Sequence, residues 1–143
     1  MCRYLVRAPH RSSAETQAFL VDCVAAWKGD LCRPYVICTG GQTKPFGMIE
    51  ARLQAGTVDI GYVLARVHWG FGFMPEAVHA VTMNVQSKPA FYRAQVTCDA
   101  ENMPSQRVLE KAGFHREGRL ERYLVHPNLS PEPRACFIYA KCK

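Results

Sequence analysis

Apolar residues recur at helical spacing from Ala14 to Lys28, with Phe19, Leu20, Cys23, Val24 and Trp27 marking the stripe. Ser12 and Ser13 ahead of Glu15 have the form of a helix start, and Gly29 that of a stop. Runs of β-formers follow: Tyr35 to Cys38, Phe46 to Leu53 and Val58 to Ala65, separated by turns at Gly40-Gly41 and Ala55-Gly56. Three strands joined this closely predict an antiparallel meander. Helical spacing returns over Pro75 to Gln86, where Ala77, Val78, Val81 and Val85 share a face. A strand over Tyr92 to Cys98 and a helix over Pro104 to Ala112 come next, the helix bracketed by Asn102 and Gly113. Phe114 to Val125 and Cys136 to Lys141 complete the pattern as strands around a Pro-rich loop, His126 to Arg134. A strand leading through a helix to a neighbouring strand predicts parallel pairing in that part of the sheet.

The chain has 143 residues, 48% of them hydrophobic, enough for one core and too few for two. We therefore expect a single mixed α/β (α+β) domain over residues 1–143, with about six strands. No run approaches the ~20 apolar residues of a membrane span, and Met1-Cys2-Arg3-Tyr4 opens without an apolar signal segment. The expectation is a cytoplasmic protein without a membrane partner. Seven scattered cysteines with no C-x-x-C pair signal no zinc or redox site, and suit free thiols in a reducing compartment. The net charge of +6 asks for an anionic partner. No nucleic-acid-binding module accompanies it, so nucleic acid is not the expected ligand.

The stretch Ala65-Arg66-Val67-His68-Trp69-Gly70-Phe71-Gly72-Phe73-Met74-Pro75-Glu76-Ala77 runs from a strand, through two glycines, into a helix. Glycines let backbone N–H groups approach a ligand, and the helix N-terminus adds unpaired donors and partial positive charge. Together they form an anion site. It is neither a dinucleotide fingerprint, since Pro75 replaces the third glycine, nor a P-loop, since no Gly-Lys-Ser/Thr follows.

Ile60-Gly61-Tyr62-Val63-Leu64 followed by HWGFGFMPEA resembles the fourth strand, pyrophosphate loop and third helix of the GNAT acetyltransferases. Residues 99–114 carry N-x-x-S…EK-x-GF as Asn102, Ser105, Glu110, Lys111, Gly113 and Phe114. That form is similar to the ribosomal-protein alanine acetyltransferase (RimJ/RimL-like) branch. The order of the motifs matches over nearly the whole chain. Val67 stands where the family's loop has Gln or Arg, with Arg66 one residue early, and Leu109 stands where many members carry a tyrosine acid. Members normally place a further strand and helix ahead of the Arg3-Tyr4-Leu5 region. With both expected to be missing, an exposed sheet edge and a homodimer covering it are expected.

The resemblance implies direct attack of a primary amine, a peptide N-terminus or a small-molecule amine, on the thioester of acetyl-CoA, with no metal. It implies cofactor contacts from Val63, Leu64, Arg66, Trp69, Gly70, Phe71, Gly72, Phe73 and Met74, and from Asn102 and Ser105 in the second motif. Amides around Val63 and Leu64 would hold the thioester oxygen. Ser105 would hydrogen-bond the leaving thiolate, whose pKa of ~8.5 makes it only slightly unfavourable at neutral pH. An α-amino group at pKa ~8 needs about 1.4 kcal/mol to lose its proton at pH 7 and a lysine about 4.6, so an α-amine needs only a modest base. Glu50, Asp59 and His126 are the candidates. The alternative is a non-catalytic CoA-binding or interaction module.

Overall fold

The computed structural model describes residues 3–41 and 43–143. Ten elements follow in order: α1 (Ser13–Lys28), β1 (Cys32–Ile37), β2 (Gly47–Gln54), β3 (Gly56–Leu64), a 3-10 turn (Arg66–His68), α2 (Phe73–Gln86), β4 (Phe91–Asp99), α3 (Met103–Lys111), β5 (His115–Val125) and β6 (Pro133–Cys142). Six strands form one mixed sheet in the order β1-β2-β3-β4-β6-β5. The meander β1-β2-β3 is antiparallel, as its short turns require.

The strand–helix–strand rule holds for β3-α2-β4, whose strands pair in parallel. It does not extend to β4-α3-β5. There β6 returns and takes the place between β4 and β5, antiparallel to both, so β4 and β5 are not neighbours. Strand β1 starts ahead of the expected Tyr35 and includes Pro34. The Leu53 amide donates to Leu31 O at 2.9 Å, which turns the odd-numbered residues of this segment toward β2. The nitrogen of Pro34 therefore faces the open edge, where no ladder bond is lost.

Helices α2 and α3 pack their apolar faces on the sheet. Met74, Val78 and Val85 of α2 and Leu109 of α3 are buried against Val58, Ile60, Ala94, Val96 and Tyr139. Each such side chain contributes about 1.5–3 kcal/mol of burial. Helix α1 behaves differently from its sequence pattern. Ser12 caps it by accepting from the Glu15 amide at 3.2 Å, yet the helix contains no buried residue. Leu20, Val24 and Trp27 of the expected stripe are exposed, because α1 meets chiefly the edge strand β1. Trp27 meets Tyr35 edge-on, with ring centroids 5.0 Å apart.

The feature that positions the site is a parting of strands. Pairing between β3 and β4 stops at Asp59↔Gln95, although β3 runs on to Leu64 and β4 to Asp99. Beyond that point β4 is held by β6 alone on its far side, through Asp99↔Cys136. The sheet opens there.

Candidate active site

A cleft of about 750 Å³ occupies this opening. Its walls come from β3, the loop 68–75, the C-terminal end of β4 and the first turns of α3. The alternation of β3 decides which backbone groups face it. Ala65 N donates to Phe46 O at 2.8 Å, so odd-numbered amides of β3 point into the β2 ladder. The amides of Tyr62 and Leu64 therefore point toward β4, past the end of its pairing. Buried backbone donors without a strand partner are rare and seek a ligand or water. Val63 lines the cleft, while its N–H is turned away into the ladder. The two amides facing the gap are one residue to either side of it.

The glycine loop is shaped from both ends. Gly70 and Gly72 have φ of +85° and +83°, a conformation that L side chains rarely adopt. Gly72 is also the N-cap of α2, so the free amides of the first helical turn open on the loop. Trp69 pins the loop to the strand: its indole N–H donates to Leu64 O at 3.0 Å. Phe46 stacks on His68 at 4.2 Å and on Phe73 at 5.2 Å, bracing the other side. Trp69, Gly70, Gly72, Phe73 and Met74 all line the cleft. Arg66 and Phe71 do not. Arg66 belongs to the exposed 3-10 turn, and Phe71, 72% exposed, leans on Phe73 with ring centroids 6.0 Å apart. Any contact they make is from outside the cleft walls.

On the opposite wall, Asn102 caps α3 by accepting from Ser105 N at 3.3 Å, and Pro104 suits the first helical turn. The cap sets Ser105 at the cleft wall, where it is 9% exposed. Its Oγ lies 2.7 Å from the Tyr62 hydroxyl, which reaches across from β3. Burial pushes the Tyr62 phenol far above its ordinary range, with the Ser105 hydrogen bond acting against the shift. Burial likewise pushes the Cys98 thiol, beside the same serine, up to about 12. Both groups keep their protons at neutral pH.

Glu50, Asp59 and His126, the three base candidates, all line the cleft, the two carboxylates on one wall and the histidine on another. Glu50 and Asp59 lie on the sheet face away from α2, and Arg52 bridges them, bonding Glu50 Oε1 and, at 2.6 Å, Asp59 Oδ1. Glu50 stands opposite Gly61 in the ladder, at the cleft. His126 is 3% exposed and packs into a polar knot at the end of β4. Its Nε2 lies 3.6 Å from Asp99 Oδ2 and 3.8 Å from Cys136 Sγ, while Nδ1 has no partner among the described residues. Asp99 is fully buried; it accepts from Arg134 Nε at 2.6 Å and from the Glu101 amide at 2.9 Å. Burial raises its pKa, but these donors outweigh that and hold the carboxyl below its usual range.

Tyr62, Arg52 and Asp99 were not singled out from sequence. Tyr62 and Asp99 lie inside the two motifs, so position alone could have flagged them; Arg52 emerges only when β2 and β3 are set side by side. Six described cysteines are unpaired thiols, and Cys2 lies outside the described residues. Among the described residues no group of three His, Cys, Asp or Glu could hold a metal, and no helix is long and apolar enough to cross a membrane.

Residues 1–115 match the family model described as the acetyltransferase (GNAT) domain. Probable N-acetyltransferase YjcK of Bacillus subtilis is 41% identical over 78 residues, 54% of this chain and 42% of that protein. The chain thus matches about two-fifths of the length of this curated relative. Among solved structures, RimJ of Mycobacterium smegmatis in complex with CoA-disulfide superposes with a TM-score of 0.87 at 20% identity, covering 99% of this chain and 70% of that one. A Salmonella typhimurium acetyl transferase that modifies the N-terminal serine of ribosomal protein L7/L12 gives 0.86 at 18%, covering 100% and 81%. Those two likenesses, both under 25% identity, concern the fold. On the match across residues 1–115, the chain belongs to the GNAT acetyltransferase domain family.

Proposed function

We propose that the protein transfers the acetyl group of acetyl-CoA directly to a primary amine, an α-amine above all. The observation that carries this reading is the gap between β3 and β4, faced by the Tyr62 and Leu64 amides and flanked by the left-handed glycine loop. The diphosphate of the cofactor lies along the loop amides from residue 70 into the first turn of α2, where helix polarity favours negative charge. The Asn102 side chain, having capped α3, borders the pantetheine arm. Arg66 and Phe71 flank this site at the surface.

The chemistry then has three parts. The thioester oxygen gains negative charge as the amine nitrogen attacks, and the Leu64 amide, with that of Tyr62 nearby, donates to it; one such donor is worth about 3 kcal/mol. Ser105 donates to the departing sulfur. The amine's proton leaves toward Glu50, through water, since the Glu50 side chain is 27% exposed at the cleft whereas that of His126, on the cleft wall, is only 3% exposed and packed against Asp99. Arg52 keeps Glu50 in place. A peptide N-terminus fits this modest base better than a lysine side chain, whose deprotonation needs about 3 kcal/mol more. The ribosomal acceptor of the Salmonella relative is of that class.

We further propose a homodimer in a reducing, cytoplasmic setting. Leu20, Val21 and Val24 on α1, with Leu31 just before and Val36 within the edge strand β1, are each at least half exposed and adjoin an unpaired strand edge. A second copy laid across that edge removes both liabilities.

A thiol-release assay with acetyl-CoA across peptides, amino acids and aminoglycosides tests the activity. Release dependent on an α-amine is expected, and Glu50→Gln should lower kcat/KM for the amine about 10²-fold or more. Measurable CoA binding with no release across the panel would favour a CoA-binding module instead. Light scattering tests the dimer: 16.1 kDa at micromolar concentration would contradict it.

A further inference from the structure

Building on the proposed role of Ser105, we propose that Tyr62 is a positioning residue for that serine: its phenol donates to Ser105 Oγ and so leaves the serine's own hydrogen free to point at the departing sulfur. Tyr62 is placed for this by the same parting of strands that makes the cleft. As an even-numbered residue of β3 it projects to the side of Val58 and Ile60, toward α2 and α3. Its ring spans the opening and ends with its oxygen 2.7 Å from Ser105 Oγ, on the far wall.

Hydrogen-bond counting then constrains the serine. Its hydroxyl has one hydrogen and two lone pairs. The Ser105 backbone amide is already spoken for by Asn102 Oδ1. The phenol has one hydrogen, and the short contact is to Oγ, whereas the Ser105 carbonyl lies farther, at 3.4 Å. A phenol buried beyond easy ionisation remains a donor throughout the pH range of catalysis. The Cys98 thiol, held protonated beside the same oxygen, is a weak partner in either direction next to the phenol.

No proton has to pass along this chain. The amine nitrogen bonds to the acetyl carbon, the carbon–sulfur bond breaks with its electron pair going to sulfur, and the amine's proton leaves on the other side of the cleft toward Glu50. The thiolate accepts a hydrogen bond from Ser105 and departs as an anion. Tyr62 acts by polarising the serine, a cooperative gain available only in a buried network. Without it, Ser105 can turn its hydrogen elsewhere, and the donor is lost for part of the time.

The test is a double-mutant cycle on acetyl transfer with acetyl-CoA and an α-amine peptide, with CoA binding measured by calorimetry on each variant. Tyr62→Phe keeps the ring and removes only the hydroxyl. It is expected to lower kcat about tenfold while KM for acetyl-CoA and the CoA affinity stay within about twofold. Ser105→Ala should lower kcat at least as much, and adding Tyr62→Phe to it should bring no further loss. A Tyr62→Phe enzyme with wild-type kcat, or losses that multiply in the double variant, would overturn the inference. A wild-type protein that binds no acetyl-CoA would instead contradict the proposed function beneath it.

Discussion

Helices α1 and α2 are of similar length, 16 and 14 residues, yet α2 buries six side chains and α1 none. Both carry apolar residues at helical spacing. What separates them is what lies opposite. Helix α2 crosses a sheet already filled by Val58, Ile60, Ala94 and Val96, with α3 beside it. Helix α1 meets chiefly β1, the outermost strand, and half-buries Phe19, Cys23 and Ala26 while its other apolar residues face outward. The α2–α3 half of the molecule is thus a complete core with a cleft built into it. The α1–β1 half is a surface in want of a second layer.

The comparison is broken most forcefully from the core side. Leu109, wholly buried on α3, should lose about 4 kcal/mol when replaced by alanine, read as a lowered midpoint in urea unfolding. A loss below about 1 kcal/mol would mean that the α2–α3 half is not the close-packed unit described.

The next effect is smaller because one partner is partly wet. Asp99 anchors the end of β4 through Arg134, which is 27% exposed at its side chain. Asp99→Asn should cost about 2–3 kcal/mol, short of a fully sealed pair. The pH dependence has a definite sign. The folded-state pKa of Asp99 is depressed, so its contribution is complete above the ordinary carboxylate pKa of about 3.9 and is lost as pH falls through the lower folded value. Acid titration of stability should therefore fall more steeply below about pH 4 for the wild type than for Asp99→Asn. Parallel curves would remove Asp99 from the account.

The smallest effect is expected on α1. Val24, 56% exposed, should tolerate lysine within about 0.5 kcal/mol for the isolated chain. If α1 and β1 meet a second copy, the same substitution should shift light scattering toward 16.1 kDa without unfolding the protein. A dimer that survives Val24→Lys would place the contact elsewhere.

How far the sequence reaches differs between the same two regions. The order of elements, the antiparallel meander and the parallel β3–β4 pair were readable from period, turns and chain order. So was the glycine loop, because the G-x-G between a strand and a helix has a local physical cause in left-handed φ. The burial of α1 was not readable: apolar positions 19, 20, 21, 23, 24, 26 and 27 surround much of the helix, and only the position of β1 at the sheet edge decides which face is covered. The place of β6 between β4 and β5 was hidden likewise, since nothing local tells a returning strand which neighbour to take. Within the site, local motifs reached Ser105 and Asn102 through the cap they share. They named the Leu64 amide but paired it with Val63 rather than Tyr62, because that parity is set by the register between β2 and β3. They could not show Glu50 bridged by Arg52, or His126 enclosed beside Asp99, for the same reason: each depends on residues brought together from separate strands.

In the function proposed above, the loop amides beyond Gly70 and the first turn of α2 hold the diphosphate of acetyl-CoA. The most direct measurement is calorimetric titration of acetyl-CoA into the wild type and Gly72→Val, with circular dichroism to confirm that both are folded. A side chain at φ +83° is strained by about 1–2 kcal/mol and displaces the backbone that meets the ligand. The account predicts saturable heat for the wild type and at least a tenfold weaker association for the variant. Equal affinity in the two proteins, or no heat from the wild type at millimolar ligand, would contradict it.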